Sequence, residues 1–427
     1  MTASRGGAQT ARGVAPAAGT PEPAFFRSRW VERPQHVREL ESHLLPAGFR
    51  AAGVAAGIKR EGLDVGVVVS DEPATASAAR FTTNARLGAP VIVSRQSALD
   101  RFRAIVANSG CSNVGDGERG METARAMQRA AAEELGVEPE QVAVASTGVI
   151  GVELPRDKVV TGVQRACGGL GEDAEDLSRA ILTSDAGPKR ACLEVTLPGG
   201  TVRLAAQAKG AGMISPRHAT MFCFVETDAG LDAGTLDLLT GVCVKRSFDR
   251  ISVDGQLSTS DTVVALANGA SGVNVGPESP DELALGEALD ALLRQLALEI
   301  VHDGEGARRV GRVVVTGRPE SVEPVARAVA NSPLVKSALH GGDPNFGRIL
   351  QAAGQVWPPG DPFIVDLEIE GHQVVSAGEV VEPAPAELVQ GDEVEYALTL
   401  PGEGGETEVF FSDLSPEYVN FNAEYTS

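Results

Sequence analysis

Long apolar runs are missing from this chain of 427 residues. A membrane-crossing helix needs about 20 consecutive apolar residues, and no stretch approaches that, so a membrane role has no support. Positive charge is scarce as well: 37 Lys and Arg face 58 Asp and Glu, a formal net charge of −21. Such a surface repels polyanions, which argues against nucleic acid as a partner. The 6 histidines, His36, His43, His218, His302, His340 and His372, are dispersed. No two share the spacing that places metal ligands on one helix face. The 5 cysteines, Cys111, Cys167, Cys192, Cys223 and Cys243, are odd in number and lack any Cys-x-x-Cys pair. That pattern points to a reduced compartment, the cytoplasm, and not to a disulfide framework.

Aromatic residues make up only 4% of the chain, whereas 49 glycines and 43% hydrophobic residues are present. Small side chains in that proportion suit an α/β protein with closely packed elements, and the length allows two or three domains. Residues 1–33 contain Arg5, Arg12, Arg27, Arg29 and Arg33 and no acid before Glu22. Their prolines and glycines break any amphipathic helix, so a disordered extension is expected, with an organelle leader as the alternative. Beyond it, strand-like runs at 63–69, 90–94, 104–108 and 142–146 alternate with helical stretches. The stretch 118–135 ends at Gly136, and 281–301 aligns Leu285, Leu289, Leu292, Leu293, Leu296 and Ile300 on one face. A strand at 312–316, a helix at 321–331 and β-type runs at 363–370, 372–376 and 393–400 suggest a smaller C-terminal α+β domain from about residue 307.

The most informative run is Lys209-Gly210-Ala211-Gly212-Met213, followed by Ala219-Thr220-Met221. A threonine hydroxyl is a weak nucleophile, but a threonine that begins a chain has its own α-amine, of pKa about 7.7–8, beside Oγ as a base. Cleavage between Ala219 and Thr220 by attack of Thr220 on the Ala219 carbonyl would create that state. An Ala-Thr step in a Gly-rich loop also suits a turn or a helix cap, and the local run alone leaves this open.

Further motifs narrow the choice. Gly48-Phe49-Arg50-Ala51-Ala52-Gly53-Val54-Ala55-Ala56-Gly57-Ile58-Lys59 is followed in order by Phe81-Thr82-Thr83-Asn84, Asn108-Ser109-Gly110, Ala145-Ser146-Thr147-Gly148-Val149 and Thr183-Ser184-Asp185. Asp303-Gly304-Glu305-Gly306, Asp343-Pro344-Asn345-Phe346-Gly347-Arg348 and Asn422-Ala423-Glu424-Tyr425-Thr426-Ser427 come later. Over residues 48–427 the chain resembles the bifunctional ornithine acetyltransferase and N-acetylglutamate synthase family of arginine biosynthesis, whose members self-cleave before a threonine. The resemblance implies a four-layer α/β/β/α sandwich of two intertwined cleavage products. Its first chain would span 34–219 after the extension, and its second would complete the body over 220–306 and carry the C-terminal domain over 307–427.

The resemblance also implies roles. Thr220 would be the nucleophile, and Thr147 and Gly148 would supply oxyanion donors, although Ser-Thr-Gly also suits a plain strand cap. Ser184, Lys209, Thr220, Glu305, Asn422 and Ser427 would bind substrate, with Lys209 meeting a carboxylate and Glu305 an amino group. The implied reaction moves acetyl from N2-acetylornithine to glutamate by a ping-pong route through acetyl-Thr220. No cofactor is implied, acetyl-CoA is an optional co-substrate, and the partners are amino-acid substrates and a tetramer of two alpha and two beta chains. Departures at Cys111-Ser112, Gln256-Leu257 and Ser260 leave open an acyltransferase with a shifted donor or acceptor, or an aminopeptidase or amidase on the same scaffold. Denaturing mass spectrometry should show two co-purifying species, residues 1–219 and 220–427, and Thr220→Ala should stay intact and inactive.

Overall fold

The structure, a computed structural model, describes residues 24–215 and 221–424. Three sheets organise it. The six-stranded sheet runs in the order Val37–Glu39, Lys189–Leu197, Gly200–Lys209, Phe222–Thr227, Thr262–Ala267 and Ala76–Phe81. The four-stranded sheet is ordered Phe49–Val54, Val65–Ser70, Ala104–Asn108 and Val142–Ser146. No described helix is long and apolar enough to cross a membrane.

Alternation along these strands sets the packing. Val68, Ile105, Ala107, Ala143 and Ala145 of the four-stranded sheet meet Phe81, Phe222, Phe224, Val264 and Leu266 of the six-stranded sheet in one apolar layer. Their neighbours Val67, Val106 and Val144 turn to the opposite face, against Met127 and Ala131 of the helix Gly117–Leu135 and Val159 and Val163 of the helix Arg156–Cys167. On the outer face of the six-stranded sheet, Leu204, Cys223, Val225 and Val263 pack on Leu236 and Val244 of Ala233–Arg246 and on Leu285, Leu292 and Leu296 of Pro280–His302. Strands buried on both faces read as continuous apolar runs, which is why 142–146 stands out in the sequence.

The long helix starts where its residues dictate. Pro280 occupies the first turn, where its missing N–H costs nothing, and the Ser279 hydroxyl accepts the Glu282 N–H at 3.1 Å. The helix Gly117–Leu135 stops at Gly136, whose φ of 65° lies in the left-handed region that favours glycine. The expected strand at 90–94 is instead the buried helix Ala89–Arg95. Pro90 stands in its first turn, and Ser94 Oγ bonds both the N–H and the carbonyl of Val144 at 2.8 Å, so the apolar run faces its neighbours on every side.

Of the extension expected over 1–33, residues 1–23 lie outside the described residues, and 24–33 are held against the body. Phe25 N–H donates to Glu39 at 2.8 Å, Phe25, Phe26 and Trp30 pack on the body, and Arg27 pairs with Glu299 at 3.2 Å. Apolar anchors in that stretch outweigh its polar composition.

The seven-stranded sheet runs Ile251–Ser252, Gly405–Ser412, Val310–Gly317, Glu393–Thr399, Asp366–Ile369, His372–Ser376 and Glu379–Val380. The helices Pro319–Ala330, Pro333–Gly341 and Phe346–Gly354 bury one face of it through Val325, Val329, Leu339 and Ile349. On the other face Arg312 bridges Glu395 and Glu408, each at 2.7 Å. Its first strand, Ile251–Ser252, precedes residue 307 in the chain, so the body contributes an edge to this sheet. Replacing Leu292, fully buried in the long helix, by alanine should keep the helix and destabilise the protein by about 2–5 kcal/mol, read as a lowered urea midpoint.

Candidate active site

The two facing sheets end side by side. The strand Val142–Ser146 runs into Thr147 and Gly148, and the strand Gly200–Lys209 ends on Lys209, which is only 2% exposed. Lys209 Nζ donates to Thr147 Oγ1 at 2.9 Å and lies 5.8 Å from the centre of the Phe222 ring. An ammonium cannot accept, so Thr147 keeps its own hydroxyl proton for another partner. Gly148 has φ +124°, and a Cβ there would lie 2.4 Å from Gly110 C. Only glycine fits, and its N–H makes no hydrogen bond among the described residues, whereas Thr147 N–H is held by Asn108 O at 3.0 Å.

Opposite stands a carboxylate. Glu305, at φ +40° just after the long helix, accepts the Ser184 hydroxyl at Oε1 (2.8 Å) and the Asn422 amide at Oε2 (2.6 Å). Burial pushes its pKa up, and those two hydrogen bonds pull against the shift. Burial lowers the pKa of Lys209 and nearby Lys189 adds to that, while Asp185, Asp261 and Glu305 oppose it.

Both walls hang on one buried ion cluster. Asp185 Oδ1 accepts Lys189 Nζ at 2.8 Å and the Gly210 N–H at 2.6 Å, and Oδ2 accepts the Thr183 N–H at 3.0 Å. Burial alone would raise its pKa, but Lys189 and Lys209 carry it well below the ordinary carboxylate range. Lys189 also binds Asp303, which accepts the Ala186 N–H.

The cavity between the walls has a volume of about 120 Å³ and is lined by Thr147, Gly148, Ser184, Lys209, Glu305 and Asn422, together with Ser112 and Ser258–Ser260. Six of the residues expected from the sequence are thus brought together. Ala219, Thr220 and Ser427 lie outside the described residues. Larger clefts exist elsewhere: the groove between Ala233–Arg246 and Pro280–His302, about 750 Å³, is walled by Leu239, Val242 and Leu283. Its donors Arg246 and Ser279 are already engaged, Arg246 with Asp290 at 2.9 Å and Ser279 as the helix cap, so chemistry selects the smaller cavity.

Several residues here went without a role in the sequence. Asp185 lay in the Thr-Ser-Asp motif, but its partners are 2, 4 and 25 positions away, and Lys189 ties it to Asp303, 114 positions beyond Lys189. Asp261, almost fully buried, accepts the Met221 N–H at 3.1 Å through Oδ1, and burial raises its pKa strongly. Among the departures, Gln256 turns back onto Asp254, and Leu257 O is capped by the Asn84 side chain at 2.8 Å. Those two brace a turn, whereas Ser112 and Ser260 reach the cavity.

A mixed α/β protein with a small polar cavity at its strand ends, walled by a buried lysine and a raised-pKa carboxylate, has the build of an enzyme acting on small charged molecules. The ArgJ family model matches residues 50–427, and the chain belongs to the ArgJ family. It is 43% identical over 391 residues to the arginine biosynthesis bifunctional protein ArgJ of Symbiobacterium thermophilum, covering 89% of this chain and 97% of that protein. It is 38% identical over 401 residues to the glutamate N-acetyltransferase of Methanocaldococcus jannaschii, covering 90% of this chain and 98% of that protein. Among solved structures, the ornithine acetyltransferase complexed with ornithine from Mycobacterium tuberculosis is 35% identical, with a TM-score of 0.39, covering 42% of this chain and 98% of that one. Gly148→Ala should slow any chemistry that uses the Gly148 N–H by roughly 10²–10³, with unchanged secondary structure by circular dichroism.

Proposed function

We propose that this chain is an autoproteolytically activated N-acyltransferase that moves acetyl from N2-acetylornithine to glutamate, with Thr220 as nucleophile. The observation that carries the reading is the pairing of Lys209 with Thr147 beside the Gly148 N–H, unpartnered among the described residues, across one cavity from Glu305 with Ser184 and Asn422. Thr220 directly precedes Met221, whose amide Asp261 anchors.

In the first half-reaction Thr220 Oγ attacks the acetyl carbonyl, the C–N bond breaks, and the Thr220 amine relays the hydroxyl proton to the departing ornithine amine. The Thr147 hydroxyl and Gly148 N–H stabilise the oxyanion. In the second, the glutamate amine attacks the acetyl ester, loses its proton to the same base, and Thr220 Oγ leaves with a proton. Glu305 meets the free ammonium of the amino-acid substrate and Lys209 a carboxylate. No cofactor takes part, and acetyl-CoA is an optional second donor.

The same reading includes the finer architecture: a four-layer α/β/β/α body shared by chains 34–219 and 220–306, a C-terminal α+β domain over 307–427, and a cytoplasmic tetramer of two alpha and two beta chains. Ser112 and Ser260 on the cavity wall favour, as the second reading, an acyltransferase whose donor or acceptor has shifted, because hydroxyls that touch substrate alter discrimination.

Purified protein incubated with N2-acetylornithine should yield N-acetylglutamate only when glutamate is added, whereas free acetate without an acceptor would identify an amidase. Glu305→Gln should cost roughly 10- to 150-fold in kcat/KM for the amino-acid substrates and leave cleavage intact.

A further inference from the structure

Four donors converge on Asp254. Its Oδ2 accepts the Met213 N–H at 2.6 Å and the Tyr418 hydroxyl at 3.2 Å, while Oδ1 accepts the Ile214 and Gln256 N–H groups, both at 3.0 Å. Val253 N–H donates to Ile214 O at 2.7 Å, which closes the exchange between the two segments. Apart from Gln256, the donors come from two separate pieces: the loop after the strand Gly200–Lys209, and the terminal helix Pro416–Glu424.

Each piece also touches Glu305. Gly212 lies against its carboxyl so closely that a Cβ would sit 2.3 Å from Oε1. Asn422, one turn after Tyr418, donates to Glu305 Oε2 and to Tyr418 O. Between Gly212 and Ile214, Met213 holds φ +56°, a left-handed conformation that a side chain enters only at a cost. Its amide points at Asp254, a fixed acceptor that offsets that cost. Behind Asp254, the buried Lys336 binds Ser412, whose hydroxyl donates to Val253 O at 3.3 Å.

We infer that Asp254 is a positioning residue for the amino-acid end of the cavity, locking the 212–214 loop to the terminal helix so that Glu305 and Asn422 stand at a fixed spacing. Asp254 does not line the cavity, so it acts through Met213, Tyr418 and Asn422. The inference rests on the reading of Glu305 as the partner of a substrate ammonium.

Two variants test it. Asp254→Asn keeps the shape but turns an amide NH2 toward the donors. Tyr418→Phe removes the hydroxyl and leaves the loop held. In Asp254→Asn the KM for the acceptor amino acid should rise about tenfold with kcat changed less than about threefold, and Tyr418→Phe should show a smaller rise. The double variant should be no worse than Asp254→Asn, because both act through one contact. Independently of activity, hydrogen exchange at the Met213 and Ile214 amides should quicken in Asp254→Asn, and one tyrosine should ionise at lower pH by ultraviolet titration, since the carboxylate disfavours the Tyr418 phenolate. Unchanged exchange and titration would overturn the clamp itself. Altered exchange with an unchanged acceptor KM in both variants would overturn its positioning role. A wild-type protein that transfers no acyl group would instead overturn the functional reading, with the exchange and titration still deciding the clamp.

Discussion

A carboxylate with no exposed side-chain surface, Asp185, sits against the ammonium of Lys189 and near that of Lys209, and the rest of the site depends on it. Burying a charge is unfavourable unless it is paired and hydrogen-bonded, and breaking such a pair on one side is worse than never having built it. Here both carboxylate oxygens of Asp185 are used, and the cluster it builds with Lys189 joins three separate parts of the chain. The Thr183 N–H comes from the loop that carries Ser184, and the Gly210 N–H from the residue after Lys209. Lys189 reaches Asp303, two residues before Glu305. Three candidate substrate contacts are therefore one or two residues from atoms whose positions the ion cluster fixes. A site built this way loses little order when it binds a small charged molecule, which is the condition for using interactions to select and orient a substrate.

The sheets add the second constraint. Two strands buried on both faces cannot change register without exposing their apolar sides, so their ends are held firmly. Thr147 leaves one sheet and Lys209 the other, and the hydrogen bond between them spans the seam. Because the lysine can only donate, the threonine hydroxyl is oriented away from it. Gly148 fits its close approach to Gly110 only without a side chain. Polarity and shape at that corner are set by groups with no alternative arrangement nearby.

Much of this was legible in the sequence where a pattern is local. The long helix announces itself through the leucine stripe from Leu285 to Ile300, and Val142–Ser146 through an unbroken apolar run ending in a turn. The run at 90–94 misled because four apolar residues ending in a serine have no resolvable period: Pro90 at a helix start and burial against several neighbours produce the same letters as a strand. Of the candidate site, the motifs containing Thr147, Ser184, Lys209, Glu305 and Asn422 marked residues that gather round one cavity. What held them was not visible, since Asp185, Lys189 and Asp303 come together only after the sheets form. Nor was the contrast between Gln256-Leu257 and Ser112 with Ser260, because the direction of a side chain in an irregular turn depends on contacts such as Asn84 to Leu257 O. Phe25 and Trp30 were hidden among residues whose overall composition is that of an unfolded tail.

The order of the six-stranded sheet has a topological consequence. Its strands Phe222–Thr227 and Thr262–Ala267 follow residue 220 in the chain, yet they are bracketed by Gly200–Lys209 on one side and Ala76–Phe81 on the other, both of which precede it. Two polypeptides divided at that point would be woven through one another, not docked across a surface. They could not part by sliding off an interface, because separation would tear out two rows of backbone hydrogen bonds and open the layer beneath. Their lifetime together would be set by the unfolding barrier of the whole body, and dilution would not shorten it.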